Sequence, residues 1–383
     1  MLKRIYKLLT SVRLAVVLLA LGLILVFLGT IAQVKLGLYQ AQSEFFRSWL
    51  IYWQPSESSL SIPIFPGGYL VGGLLLINLF AAHLRYYRPG FKRIGIAMIH
   101  LGVVLLLGGQ FATDMLSTES FMRIREGSSS NYSESNSLWE LALIDTSDAE
   151  EDKVVAIPTS LLSGGKELSN PELPFKVQPV KFYLNSTLSA KNEGEGYELV
   201  KAENTELTEI WWRRLPKVTQ MNFRDIPSSL IKLIGPEGDS RTILVSGHFS
   251  RPQTITVDGK ELQFEVRPTR YYKSFSLHLI DFRFDRYAGT NTPKNFSSRV
   301  RLARTDNNED REVTIRMNEP LRYSGETFFQ ADWDKTDEKG TVLQVVDNPG
   351  WLTPYFACVL VSLGMIWQFM SHLIGFATKR EKA

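Results

Sequence analysis

The groups in this sequence best able to do chemistry are five histidines, which fall into two sets. His83, His100 and His372 stand inside or at the ends of long apolar stretches, while His248 and His278 sit in a more polar central region. An imidazole at lipid depth is costly unless it meets a partner or a cavity. His100 is the deepest, six residues past Ile94 and so about 9 Å along a helix. Its context is Ile99-His100-Leu101-Gly102, then Val103 to Leu107, then Gly108-Gly109, and such glycines let another helix or a flat ligand approach closely. A neutral imidazole is also a natural axial ligand for haem iron. His100 therefore reads as a metal ligand or as a polar group in helix packing, and its surroundings leave both open. His83 and His372 read as further cofactor contacts or as ordinary boundary residues.

Other chemistry is poorly supplied. Cys358 is the single cysteine, so the chain can form no disulfide within itself and carry out no dithiol exchange. His248 and His278 have no carboxylate or cysteine at metal-ligand spacing and read as ordinary polar side chains. No phosphate-binding loop, HExxH, GxSxG or CxxC is present. Trp211-Trp212-Arg213-Arg214 reads as core packing beside a solvated charge pair, or as a contact for membrane or partner. A net charge of +3 over 383 residues is too small to suggest nucleic acid.

The three apolar-region histidines need helices to hold them. A bilayer core about 30 Å thick takes roughly 20 apolar helical residues to cross. Four stretches qualify, at about 14–34, 67–86, 94–114 and 351–376. The first has the basic start of a signal peptide, but its apolar run is longer and no small-x-small pattern follows, so it reads as an uncleaved anchor. Lys3, Arg4, Lys7 and Arg13 precede the first span; Arg85, Arg88, Lys92 and Arg93 link the second to the third; Lys379, Arg380 and Lys382 follow the last. With four spans these flanks share a side, and their basic character places both termini in the cytoplasm. Tyr39, Phe45, Phe46, Trp49, Tyr52 and Trp53 lie in a stretch free of Pro and Gly, read as a helix over about 39–53 on the outer membrane surface, or as a loop packed on the large domain.

The parts are then a membrane region (1–115), a far-side β-rich domain (116–350), and a fourth span with a basic tail (351–383). The middle part reads as an all-β, sandwich-like domain. Asp258-Gly259 between two apolar runs is a hairpin signal. Phe275, Leu277 and Leu279 alternate, but Phe282 and Phe284 continue on the opposite parity, which predicts a bulge near Ile280-Asp281. Gly127 to Ser137 and Asp145 to Asp152 read as loops.

Several stretches, taken in order, resemble one family. Gly29-Thr30-Ile31-Ala32-Gln33 is similar to that family's Gly-Thr-x-x-Pro-Gln without the proline. His100-Leu101-Gly102 through Gly108-Gly109 is similar to its third span. Leu321-Arg322-Tyr323-Ser324-Gly325, Phe329-Gln330 and Asn348-Pro349-Gly350 resemble its approach to the last span. With the order of three spans, a β domain and a fourth span, the chain resembles ResB (also called CcsB), a component of system II cytochrome c maturation. The resemblance implies a multi-pass protein of the bacterial inner (cytoplasmic) membrane. It implies a subunit of a cytochrome c synthase that works with a CcsA-type membrane protein, moves haem b transiently across the membrane and helps attach it to apocytochrome c. His100 would take the haem-ligating role. The partner's tryptophan-rich segment is absent here, so the chain alone would not be a complete enzyme. A family role for cysteine would not carry over to Cys358. The alternative is a non-catalytic scaffold that positions a partner through its outer β domain and binds no haem.

Overall fold

The computed structural model describes residues 2–53, 60–86, 90–148, 152–203, 210–218, 224–257, 260–290 and 293–380. Two compact units divide the chain. One comprises Met1–Thr118 with Asp347–Ala383, the other Glu119–Val218 with Asn222–Val346.

The first unit begins with α1 (Leu2–Leu9) and α2 (Val12–Leu36). Ser11 caps α2, its hydroxyl accepting from the Arg13 N–H at 3.2 Å. A short α3 (Leu38–Ala41) follows, then strands β1 (Leu50–Trp53) and β2 (Ile62–Pro66), α4 (Gly68–Tyr86) and α5 (Ile94–Leu116). Later in the chain come the five-residue α6 (Thr159–Ser163), in the second unit, and α7 (Thr353–Arg380), which returns to the first. Among the described residues, α2, α4, α5 and α7 are long and apolar enough to cross a membrane.

The helix expected over 39–53 is not formed as such. After α3 a single π turn covers Gln42–Phe46, and 50–53 is instead β1, paired antiparallel with β2. A continuous helix would carry the chain away at 1.5 Å per residue. Here it must turn back onto the start of α4, where Gly67 N donates to Trp49 O at 2.9 Å and Tyr69 N to Ser48 O at 3.1 Å. Glycine makes that approach possible: a Cβ on Gly68 would sit 2.2 Å from the Phe46 carbonyl oxygen.

The second unit is antiparallel β structure. Its strands are β3 (Thr118–Arg125), β4 (Ser129–Asp145), β5 (Lys153–Pro158), β6 (Lys176–Tyr183), β7 (Ser186–Ser189), β8 (Glu198–Val200), β9 (Ile210–Arg214) and β10 (Ser228–Ile234). They continue as β11 (Ser240–Ser246), β12 (Gln253–Val257), β13 (Lys260–Arg286), β14 (Pro293–Arg304), β15 (Glu309–Arg316), β16 (Leu321–Tyr323), β17 (Glu326–Trp333) and β18 (Gly340–Asp347). Ten of them form one sheet ordered β15-β14-β13-β4-β3-β18-β17-β16, with β12 and β5 added beside β13 and β4. Two three-stranded sheets, β11-β10-β6 and β7-β9-β8, complete the domain.

The long strands β4 and β13 are the spine, and they serve two separate cores. The first half of β13 packs Leu262, Phe264 and Val266 against Leu141, Leu143, Ile231 and Ile243. Its second half packs Phe275, Leu277, Leu279 and Phe282 against Met122, Leu302, Phe328 and Leu343. Pairing with β4 slips between Pro268 and Arg270, and again between Tyr272 and Leu277. Proline has no N–H to give the ladder, which accounts for the first break. The predicted bulge is present: pairing of β13 with β14 shifts between Leu279 and Asp281, so Phe282 joins Leu277 and Leu279 in one core.

Gly127 to Ser137 is not the loop expected. After a turn at Gly127, Ser129 onward is strand β4. Small hydroxyls let this polar run enter the interior, Ser120 Oγ donating to Ser133 Oγ at 2.8 Å with both residues buried. The hairpin at Asp258-Gly259 falls outside the described residues, but its arms pair in register, Val257 opposite Lys260. Trp212 is 2% exposed and meets the Tyr183 ring at 4.6 Å and a 47° tilt, while Arg213 lies 4.8 Å from the Tyr197 ring, so the Trp-Trp-Arg-Arg run contributes mainly to packing.

Candidate functional site

The apolar helices bring two of the three predicted histidines together. His83, near the end of α4, and His100, in the first half of α5, approach with Nδ1 to Nδ1 at 3.3 Å. Their rings are 5.5 Å apart at 74°, and both are partly buried. His372 is elsewhere, exposed on α7, with its Nε2 accepting from the Gln368 amide of the same helix at 2.7 Å. His278 and His248 lie in the β unit, against the Ser129 hydroxyl at 3.0 Å and the Ser186 carbonyl at 2.8 Å.

A pair of neutral imidazoles joined through Nδ1 has a definite chemistry. One ring donates its Nδ1–H and the other accepts. The donor's Nε2 is then unprotonated and holds a lone pair, whereas the acceptor's Nε2 carries its proton. In that state one ring offers a metal-binding nitrogen and the other fixes its tautomer and orientation, the usual job of a metal ligand's neighbour.

What places His100 is the double-sided packing of α5. Gly95, Gly102 and Gly109 recur every seventh residue and face α7. A Cβ on Gly95 would lie 2.6 Å from Gly364 O, and one on Gly102 would lie 2.4 Å from Val361 Cγ2 and 3.0 Å from Ala357 O. His100 lies about 160° around the helix from Gly102, counting 100° per residue, and so looks toward α4. Gly108 has open space around it. Gly102→Ala is therefore expected to cost about 1–3 kcal/mol through overpacking. Gly108→Ala should gain the few tenths to about 1 kcal/mol of Ala over Gly in a helix. Thermal unfolding of the two detergent-solubilised variants checks this, since equal shifts would contradict the seam.

An apolar groove of about 370 Å³ is lined by Tyr6 of α1, Leu76, Ile77, Phe80 and Leu84 of α4 and Val104 of α5, among others, and neither histidine is among its lining residues. Val104 is one turn past His100 on α5. Arg85 adds a cation nearby: it donates to the Thr10 hydroxyl and lies over the rings of Tyr6 and Tyr86. Arg88 falls outside the described residues, and Arg93 is exposed.

Two anchors of this arrangement belong to no sequence motif. Asn78, buried in α4, donates to the carbonyls of Leu9 at 2.6 Å and Ser11 at 3.1 Å, tying the α1–α2 break to α4. Asp114, near the end of α5, accepts from the Tyr69 hydroxyl and pairs with Arg47 Nε at 2.8 Å. A lone acid at the edge of an apolar run was the available clue.

The stretches that carry the family resemblance prove to be joints. Ser324 and Gly325 both have positive φ, 52° and 86°, and form the two-residue turn joining β16 to β17. Asn348 Oδ1 accepts from Gly350 N at 2.9 Å and from the Thr113 hydroxyl at 3.4 Å, leading the chain into α7. Gly29 makes room for the Phe46 ring.

Residues 239–342 match the ResB-like family. Over 299 residues the chain is 26% identical to Protein NrfI of Wolinella succinogenes, a match covering 78% of this chain and 29% of that protein. The chain thus spans less than a third of the length of that relative.

Proposed function

We propose that this chain, a ResB/CcsB-like membrane protein, serves cytochrome c biogenesis as the haem-handling subunit of a system II synthase. The observation that carries the reading is the His83–His100 pair, held between two helices long and apolar enough to cross a membrane. Haem b is the cargo, presented to apocytochrome c with the help of a CcsA-type partner. Its character suits the residues present: one unprotonated imidazole nitrogen for the iron, an apolar groove for the macrocycle, and Arg85 for a carboxylate. In this reading His100 supplies the ligand nitrogen and His83 holds its ring through Nδ1.

The basic flanks support an inner-membrane arrangement with both termini cytoplasmic and the β unit outside. The histidine pair then lies toward the cytoplasmic side, where haem would enter. His372 would lie toward the same side, exposed on α7, and the geometry gives it no part in the pair.

The test is the absorption spectrum of the chain purified from membranes, alone and with a co-expressed CcsA-type partner. A haem Soret band of a nitrogen-ligated iron is expected in at least the complex. Preparations free of haem in both states, from cells making haem normally, would remove the reading.

A further inference from the structure

Among the described residues, the His83–His100 contact is one of two polar rungs between α4 and α5. The other is Tyr69 to Asp114. Two heptads separate Tyr69 from His83 on α4, and two heptads separate His100 from Asp114 on α5. The helices run antiparallel, so both rungs belong to one register, about 21 Å apart at 1.5 Å per residue. A slip of one turn, about 5.4 Å, would break both together.

The rungs differ in strength. Asp114 is the one acidic residue in the sequences of α2, α4, α5 and α7. Its side chain is 12% exposed, and it is held from two sides, by Tyr69 on α4 and by Arg47 after the π turn. Charge-assisted contacts of this kind are about twice as strong as neutral ones. The turn is also packed backbone to backbone against the start of α4, where a Cβ on Gly67 or Gly68 would lie 2.2 Å from the Ser48 or Phe46 carbonyl oxygen. The Tyr69 ring adds contacts with Trp49 at 6.1 Å and Phe111 at 5.9 Å. At the other end, the two imidazoles meet Nδ1 to Nδ1 at 3.3 Å, without a carboxylate or guanidinium between them. Apolar side chains between the rungs pack comparably well in neighbouring registers, whereas a single buried polar contact rejects every register but its own.

We propose that the Arg47–Asp114–Tyr69 clasp sets the axial register of α4 against α5 and thereby holds His83 opposite His100. Its members are positioning residues for the histidine site. The inference of a haem site rests on other grounds, and the register can be measured without haem.

The experiment uses the full chain in membranes, with Cys358→Ser as background and cysteines placed by Leu76→Cys and Leu107→Cys. These positions lie midway between the rungs on the two helices. A short bis-thiol reagent should join them efficiently in the parent. Asp114→Leu should lower the joined fraction several-fold and raise joining of position 76 to a cysteine one turn away, at Val103 or Phe111. Tyr69→Phe, which removes one hydroxyl and is well tolerated sterically, should give a smaller change in the same direction. Arg47→Asp with Asp114→Arg should restore the parent pattern. An unchanged pattern in both Asp114→Leu and Tyr69→Phe overturns the proposal. Restored register with haem still missing would instead count against the haem reading alone.

Discussion

His100→Ala is expected to remove the haem that purifies with the complex and to lower the yield of holocytochrome c in parallel. Losing an outer partner of a metal ligand typically costs about 10–100-fold in affinity. Loss of the ligand itself should exceed that. His83→Ala is the informative companion. If His83 orients His100, its loss should leave haem bound with about 10–100-fold weaker retention and a changed Soret position, rather than none. His372→Ala should leave the spectrum as it is, because that ring sits on the exposed face of α7. A His100→Ala complex with full haem content and full yield would reduce the pair to a polar rung between helices, and the scaffold role would then be the better account.

The second large effect lies in the β unit. Arg267 is buried between the two cores, with Nε on Glu140 Oε1 at 3.0 Å, a second nitrogen on Glu265 at 3.1 Å and a third on the Tyr272 hydroxyl at 3.4 Å. The side chains of Arg267 and Glu140 are 4% and 6% exposed. Arg267→Leu leaves the Glu140 carboxylate buried without its cation, a loss of about 3–5 kcal/mol. For a unit of this size that is a fall in Tm of roughly 6–20 °C. Exposed pairs behave differently: Arg283 sits on Asp281 with its side chain 73% exposed, so Arg283→Leu should stay within about 1 kcal/mol. Adding Glu140→Leu to Arg267→Leu should recover much of the loss, since the desolvated carboxylate goes with it. Thermal unfolding followed by circular dichroism decides between these outcomes, and a single replacement as mild as Arg283→Leu would show that the buried network contributes little.

Much of the architecture could be read along the chain, because the signals involved are local. Length and apolarity mark the four crossing helices, since backbone in lipid must satisfy itself. The parity change between Leu279 and Phe282 announced the bulge in β13, because side chains alternate strictly along a strand. The lone thiol ruled out a disulfide without any structure. Where local rules failed, tertiary contacts overruled them. Trp49, Tyr52 and Trp53 suit a surface helix by composition, yet the chain must turn back at Gly67-Gly68, and 50–53 becomes a strand. The serines of β4 read as loop residues, but Ser133 is buried because Ser120 on the neighbouring strand meets its hydroxyl.

The candidate site divides in the same way. The residues alone named His83, His100 and His372 as imidazoles in or beside lipid-depth helices, because burial of an ionisable group is visible in a single sequence. Which of them meet was decided by the angle at which each leaves its helix and by the register between α4 and α5. That register depends on groups two heptads away, Tyr69 and Asp114, and on Arg47 in a different segment. A contact between side chains on separate helices is set by packing energies summed over both surfaces, and no stretch of either helix contains that sum.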